Sequence, residues 1–234
     1  MRCRFRTASR GSVACGIRRF DLWRSNYEPL TYCSCYVYSP RGPGPAAEAS
    51  RLLRRRLKAA DVDWLPRYVT RVRQLQRETG IYAGLFGEDV ILVPVPGCRS
   101  ESSASPWVAD QLATVMQEAG LGGSVWRGLQ RVVTIPKSAS APVWQRPFVH
   151  QHYTSTNVAT DLPDAGKFVI VDDVISKGRT LLGVAQRLRE ALPRSQVQAF
   201  ALLRTMSLVA DIGQLVAPCR GEIRWHAFDA LRDP

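Results

Sequence analysis

The chain has 234 residues, of which 45% are hydrophobic, and this is enough to bury one α/β core together with a small accessory region. No apolar run reaches the length of a transmembrane segment, and no apolar signal segment follows the N-terminus. We therefore expect a soluble, cytoplasmic protein that does not bind membranes.

The formal net charge of +12 is concentrated in the N-terminal third of the chain. Residues 1–80 contain 17 basic and 6 acidic residues, a net charge of +11, which leaves only +1 for the remainder. We interpret residues 1–30 as a basic tail that is disordered or that results from an overextended start codon. The stretch Arg51–Lys58 predicts a basic amphipathic helix with a solvated charged face, and a nucleic-acid contact through residues 1–80 is the alternative that we do not favour.

Two accessory regions are predicted to flank a core at residues 81–215. Residues 31–80 would form the N-terminal accessory region, and residues 216–234 the C-terminal one. Aromatic side chains in the second region, Trp225 and Phe228, are available for packing or for stacking on a planar base. The spacing of Cys33 and Cys35 by one residue does not fit a zinc ribbon, so we expect reduced thiols.

The core begins with the apolar run Val90–Val95, which predicts a strand. A Pro-Gly turn follows it and carries Gly97, Cys98 and Arg99. Ser105 and Pro106 have the character of an N-cap and a first helical residue, and they predict a helix over 107–119. Strand, loop and helix in this order are typical of a parallel sheet.

A long polar segment with several prolines runs from Thr134 to Tyr153. A compact domain tolerates such a loop mainly when it acts as a lid or a binding loop. His150 and His152 have no evident acidic partner in sequence and no spacing that requires a metal, so we interpret them as part of a solvated connector.

The most informative segment begins with the strand predicted at Lys167–Val171, whose apolar residues do not alternate strictly and therefore indicate a strand covered on both faces. Asp172 and Asp173 follow at once and should project into a cleft beyond the carboxyl end of the strand, where they can accept hydrogen bonds from a diol. The loop Ser176–Thr180 then precedes a helix predicted over 181–192, whose N-terminus attracts phosphate. A diol site beside a phosphate site indicates a ribose 5-phosphate.

Other interpretations of this segment are weaker. The acid pair alone is compatible with a plain strand end and turn. A response-regulator receiver has its acid pair near the beginning of the domain, whereas here too little chain follows residues 172–173. A Walker loop has a second glycine at a fixed spacing and ends in Lys-Ser/Thr, and the loop around Gly178 has neither. The strand predicted at Val197–Leu203 should be the next parallel strand, and Arg204 at its end is a further candidate for contacting a ligand.

Residues 170–181 resemble the phosphoribosyl-pyrophosphate (PRPP) motif of type I phosphoribosyltransferases, with Lys177 at a position where a threonine is more usual. Within that class the chain resembles the competence-protein-F-like (ComF) phosphoribosyltransferases, because Tyr36–Tyr38 and Leu57–Lys58 resemble the Tyr-rich strand and Leu-Lys helix that precede the core in that family. The zinc ribbon that usually begins such proteins is missing. The resemblance implies the type I phosphoribosyltransferase fold, an α/β fold with a central, mostly parallel sheet flanked by helices and a small N-terminal hood.

The resemblance also implies roles for individual residues. Asp172 and Asp173 would hold the ribose hydroxyls and favour the cationic transition state, and the loop formed by Ser176, Lys177, Gly178, Arg179 and Thr180 would bind the 5-phosphate. Gly97, Cys98, Arg99 and Arg146 would bind pyrophosphate. Lys137 would be a catalytic residue on a mobile loop, and Mg²⁺ would be held mainly by PRPP oxygens rather than by protein ligands.

The function implied is transfer of phosphoribose from PRPP to a nitrogenous base or amine, with release of pyrophosphate and with a homodimer as a compatible assembly. The rival is a non-catalytic PRPP or nucleotide sensor linked to a nucleic-acid process such as DNA uptake or processing. The basic N-terminal third is the sequence feature that favours this rival.

Overall fold

The structure is a computed structural model that describes residues 27–59, 63–99, 107–137 and 141–234. Of the tail predicted at residues 1–30, residues 1–26 lie outside the described part, whereas Tyr27 is buried and Leu30 begins the first strand. Ser105 and Pro106 also lie outside the described part. Among the described residues, no helix is both long enough and apolar enough to cross a membrane.

Nine strands and five α-helices make up the described part of the chain, together with a short 3₁₀-helix at Val143–Gln145. The strands are β1 (Leu30–Tyr38), β2 (Gly87–Pro94), β3 (Gly122–Val125), β4 (Leu129–Arg131), β5 (Thr156–Val158), β6 (Lys167–Ile175), β7 (Gln196–Thr205), β8 (Val216–His226) and β9 (Asp229–Asp233). The helices are α1 (Pro45–Lys58), α2 (Leu65–Thr79), α3 (Val108–Glu118), α4 (Val149–Thr154) and α5 (Arg179–Ala191).

Seven strands form one sheet in the order β3-β2-β6-β7-β1-β8-β9. The five strands from β3 to β1 are parallel, and β8 and β9 continue the sheet antiparallel. A separate antiparallel ribbon joins β4 to β5. The prediction of an α/β protein with a central, mostly parallel sheet flanked by helices is confirmed.

Helices cover both faces of this sheet because its central strands are apolar on both sides. On β6, Val169 and Val171 belong to a core cluster that also contains residues of α1, α2 and α3. Phe168 and Ile170 belong to a second cluster, which contains residues of α4 and α5. The continuous apolar run therefore reflects burial on two faces, as expected for a parallel strand.

The segment predicted as a hood contributes directly to the sheet. β1 pairs in parallel with β7, with Tyr32 opposite Ala199, and antiparallel with β8, with Leu30 opposite Ile223. The predicted C-terminal accessory segment forms β8 and β9 at the edge of the same sheet. The boundaries between core and hood stay a prediction, although β1 contributes its backbone hydrogen bonds to the sheet that carries the candidate site.

The predicted strand at 167–171 is longer in the structure and includes the acid pair. β6 continues to Ile175, with Asp172 opposite Ala201 and Val174 opposite Leu203 on β7. The apolar run ends four residues before the strand does, because backbone pairing with β7 continues past the two aspartates to Ile175. The predicted helices at 107–119 and 181–192 correspond to α3 and α5.

Candidate functional site

Two chain segments that are distant in sequence meet at one edge of the sheet. β2 and β6 are adjacent parallel strands, with Pro94 opposite Val171, and the Val95 amide donates to the Val171 carbonyl at 2.9 Å. Parallel neighbours end at the same edge of a sheet, so the Gly97–Arg99 turn lies beside the acid pair of β6. Ligands bind at this edge in open α/β sheets.

Asp172 and Asp173 are adjacent acidic residues whose charges interact. The Asp172 carboxylate accepts a hydrogen bond from the Asp173 amide at 2.8 Å, and Asp173 is buried. Burial, followed by the negative charge of Asp173, raises the pKa of Asp172 above its usual range, while the Lys58 ammonium opposes this rise. A cation bound at this site would therefore be stabilised by the pair, since it relieves the repulsion between the two carboxylates.

Lys58 is a site residue that sequence reasoning did not assign. Its ammonium makes an ion pair with the Asp173 carboxylate from the last residue of α1. The basic helix predicted at Arg51–Lys58 is present, with Leu53 and Leu57 buried on its inner face. Nothing local in the sequence distinguishes Lys58 from the arginines beside it, because its role depends on α1 packing against β6.

The predicted phosphate loop turns sharply before α5. Gly178 has φ +86°, and a Cβ at this position would lie 2.8 Å from the Ile223 side chain of β8. Glycine is therefore required here by both conformation and space. The Ser176 and Thr205 hydroxyls are 3.1 Å apart, and this contact ties the start of the loop to the end of β7.

The two cations of this loop are held by a carboxylate from β9. Asp229 accepts two hydrogen bonds of 2.6 Å from Arg179, and its carboxylate is 2.9 Å from the Lys177 ammonium. Burial of Asp229 opposes its ionisation, but the hydrogen bonds from Arg179 and Lys177 prevail and lower the pKa of Asp229. The predicted phosphate contacts of Lys177 and Arg179 therefore compete with an internal ion pair.

His152 is buried, contrary to our interpretation of its segment as a solvated connector. It lies on α4, which can approach α5 closely because Gly183 has no side chain: a Cβ there would be 2.6 Å from the Val149 carbonyl oxygen. Burial, together with the positive charges of Arg131 and Arg179, lowers the pKa of His152 to about 3, so the ring is neutral. Its Nε2 atom is 3.4 Å from the Thr180 hydroxyl of the loop.

Arg131, at the end of β4, is a second residue that sequence reasoning missed. It is buried, and its Nε donates to the Gly97 carbonyl at 3.1 Å. Its Nη1 donates to the His152 carbonyl and to the hydroxyls of Ser155 and Thr156. Burial lowers the pKa of Arg131 to about 10. A single arginine in a polar segment gives no signal of burial, so no sequence pattern would have found it.

The predicted lid residues are only partly described. Lys137 and Arg146 flank residues 138–140, which lie outside the described part, and the Lys137 carbonyl accepts from the Ala141 amide at 2.9 Å. The Arg146 guanidinium donates to the Ala141 carbonyl, while the Arg146 carbonyl is 3.4 Å from a guanidinium nitrogen of Arg179. The backbone of Arg146 thus reaches the loop, whereas its charged group is directed elsewhere.

Arg204, opposite Ile175 at the carboxyl end of β7, and a surface depression are two further candidates. Arg204 is buried, and its guanidinium donates to the Ala217 carbonyl at 3.3 Å. A depression of about 550 Å³, lined by residues 163–166 and 191–195, lies at the starts of β6 and β7, the opposite edge of the sheet. We place the candidate site at the carboxyl edge, because the titratable groups converge there and parallel sheets bind ligands there.

Comparison with known proteins adds no family: no protein-family model matches the chain, and no curated protein matches it. The fold and site define an α/β protein with a mostly parallel seven-stranded sheet and a polar, charge-rich site at its carboxyl edge. The described residues contain no group of three or more His, Cys, Asp or Glu side chains that would hold a metal ion.

Proposed function

We propose that this protein is a phosphoribosyltransferase with the type I fold that uses PRPP as its phosphoribosyl donor. One observation carries the proposal: β2 and β6 are adjacent and parallel, with Pro94 opposite Val171. This pairing brings the Gly97–Arg99 turn next to the Asp172–Asp173 pair and the loop that precedes α5. An anion-binding turn, a diol-binding acid pair and a phosphate loop are the three parts that PRPP requires.

Each part of the site has a role in the proposed reaction. The amides at the N-terminus of α5 bind the 5-phosphate, and the Asp172 and Asp173 carboxylates accept hydrogen bonds from the ribose hydroxyls. The bond between the anomeric carbon and the pyrophosphate oxygen breaks, a bond to the acceptor nitrogen forms, and the proton that this nitrogen loses leaves with the pyrophosphate. The carboxylates stabilise the positive charge that develops on the ribose in between. No covalent intermediate with the protein is needed.

The donor set fits a Mg²⁺ ion that is bound mainly through PRPP. Carboxylate oxygens are suitable Mg²⁺ ligands, but Asp173 is already paired with Lys58, which leaves Asp172 as the principal protein oxygen. When bound, the ion would neutralise charge on the departing pyrophosphate.

Two aromatic side chains of the C-terminal segment are candidates for contact with the acceptor. Trp225 packs against Tyr27 with ring centroids 5.0 Å apart, so it serves packing. Phe228 is 64% exposed on the turn between β8 and β9, directly before the Asp229 that holds the phosphate loop. The Phe228 ring is therefore an exposed aromatic surface next to a residue that contacts the loop, and a planar base can stack on such a surface.

The test is release of pyrophosphate from PRPP and Mg²⁺ in the presence of a panel of purines, pyrimidines and amines, together with calorimetric binding of PRPP. We expect release that depends on one class of acceptor. Binding without release would favour the sensor over the enzyme, and absence of both would refute the proposal.

The site assignment is tested with Asp172→Asn combined with Asp173→Asn, which should weaken Mg²⁺-dependent PRPP binding at least roughly 30-fold because two charge-assisted contacts are lost. Asp89→Asn is the matched control: Asp89 lies on β2 at the opposite edge and pairs with Lys167 of β6. Equal affinity of the double variant and the control would disprove the assignment.

A further inference from the structure

Asp229 places a negative charge beside the loop that precedes α5, where the proposed function places a phosphate. Its carboxylate accepts two hydrogen bonds from the Arg179 guanidinium, each 2.6 Å long, and pairs with the Lys177 ammonium at 2.9 Å. Bidentate contact with an arginine is a geometry that carboxylate and phosphate groups share. The two loop cations therefore already have an anionic partner within the chain.

The turn that presents Asp229 has an unfavourable backbone conformation. Two residues join β8 to β9, since His226 is opposite Asp229. Ala227 has φ +45° and Phe228 has φ +67°. A positive φ at both positions of a two-residue hairpin turn suits glycine and asparagine, whereas the Cβ atoms of alanine and phenylalanine disfavour it. Such a conformation persists only where surrounding contacts hold it, and the ion pairs of Asp229 are contacts of this kind.

The rest of the hairpin is anchored independently of Asp229. The Arg232 guanidinium of β9 donates to the Thr205 carbonyl, at the end of β7, at 2.9 Å. The Ile223 side chain of β8 lies so close to Gly178 that a Cβ at the glycine would be 2.8 Å from it. Loss of the Asp229 contacts should therefore release the turn while both strands stay in the sheet.

We infer that Asp229 is an internal competitor for a phosphate monoester: a bound phosphate displaces it from Arg179 and Lys177 and so releases the β8–β9 turn. The identity of the ligand rests on the proposed function. The competition rests on the observed contacts, because the two cations cannot make the same hydrogen bonds with two anions at once. Since the exposed Phe228 precedes Asp229 in this turn, phosphate binding is coupled to a surface on which an acceptor base can stack. In the alternative explanation, Asp229 only orients the two cations for phosphate.

The experiment measures binding of inorganic phosphate and of ribose 5-phosphate to the full chain by calorimetry. We expect Asp229→Asn to bind both probes roughly 5-fold more tightly, because the apparent dissociation constant falls when the cations no longer have to leave a competing contact. Asp233→Asn is the matched control, since Asp233 lies on the same strand and pairs with Arg224 instead. It removes the same charge and should change either affinity less than about 2-fold.

A double variant tests whether the gain in affinity arises through the loop cation. In an Arg179→Gln background, the addition of Asp229→Asn should improve affinity less than about 2-fold, because the guanidinium for which phosphate and Asp229 compete is gone. A gain as large as in the wild-type background would mean that Asp229 acts on phosphate through charge repulsion alone, and this result would overturn the inference.

The outcomes separate this inference from the proposed function. Tighter phosphate binding by Asp229→Asn, but not by Asp233→Asn, supports the inference even if the wild-type protein releases no pyrophosphate from PRPP. Weaker or unchanged binding by Asp229→Asn would overturn it in favour of an orienting role, and so would the absence of binding of both probes to every variant. If Asp229→Asn does not fold, amide hydrogen exchange of the wild-type protein decides. Faster exchange at residues 227–229 on saturation with ribose 5-phosphate supports the inference, and slower or unchanged exchange overturns it.

Discussion

Strands β2 and β6 have an exposed ion pair at their amino edge and a more deeply buried one at their carboxyl edge. At the amino edge, Lys167 of β6 pairs with Asp89 of β2 at 2.7 Å, and both side chains are exposed, by 43% and 65%. At the carboxyl edge, Lys58 pairs with Asp173 of β6, whose side chain is only 10% exposed. The same contrast applies to glycines, because Gly166 has no atom within 4 Å of its absent Cβ, whereas Gly178 is crowded by Ile223.

This difference in burial favours the carboxyl edge of the sheet as the functional site. Exposed pairs are solvated and contribute little to stability, whereas buried charges strongly perturb one another. Among the residues that the structure describes, only those at the carboxyl edge combine a raised carboxylate pKa, a lowered histidine pKa and a lowered arginine pKa, at Asp172, His152 and Arg131. Such clusters of perturbed groups mark functional sites more often than chance. The amino edge supplies matched controls for the predictions that follow.

The largest difference in stability between the two edges should come from substitution of Gly178 and of Gly166. We expect Gly178→Ala to lower the free energy of unfolding by about 3 kcal/mol, since the positive φ and the contact with Ile223 both penalise a Cβ. Gly166→Ala should change it by less than about 0.5 kcal/mol. Urea unfolding measures both. Equal effects of the two substitutions would show that the turn before α5 is not constrained as described.

An intermediate effect is expected from the two lysines. Lys58→Met should lower the free energy of unfolding by about 1–2 kcal/mol, less than for a fully buried pair because Lys58 is itself half exposed. Lys167→Met should have an effect within the error of the same denaturant titration. Combining Lys58→Met with Asp173→Asn should recover part of the loss, because no unpaired buried charge then remains. Additive losses in this double variant would contradict the ion pair.

The fold was largely predictable from sequence because its signals are local. The apolar run at Lys167–Val171, the helical period after Gly178 and the strand near Val90 each indicate an element by periodicity or composition. The order of strands in the sheet was not predictable in the same way. The position of β1 between β7 and β8 depends on pairing between residues more than 160 positions apart.

The candidate site was predictable only where its residues are contiguous. The acid pair and the phosphate loop follow one another along the chain, so their pattern is visible in sequence. Lys58, Arg131 and Asp229 reach the site from α1, β4 and β9, and nothing near any of them indicates what it contacts. The prediction that His152 is solvated was wrong because its burial depends on the close packing of α4 against Gly183 of α5. A glycine within a helix does not by itself indicate which element packs against it.

The smallest difference between the two edges concerns how the free energy of unfolding changes at acid pH. Asp229 and Asp89 both have a lowered pKa: at Asp229 hydrogen bonds from Arg179 and Lys177 outweigh burial, and at Asp89 the Lys167 hydrogen bond is the main cause. A carboxylate with a lowered folded pKa stabilises the protein above its unfolded pKa, near 4, and that stability is lost as the pH falls below it. Because Asp89 is largely exposed and Asp229 is partly buried, we expect a measurable effect only from Asp229.

We therefore expect Asp229→Asn to cost about 0.5–1 kcal/mol at pH 7, a figure reduced for partial exposure, and to cost progressively less as the pH falls from 5 towards 3. Asp89→Asn should show no resolvable change across this range. Denaturant titrations at several pH values give the comparison. A cost of Asp229→Asn that stays constant with pH would mean that its carboxylate charge does not hold Lys177 and Arg179. The two loop cations would then be free for phosphate in the absence of ligand.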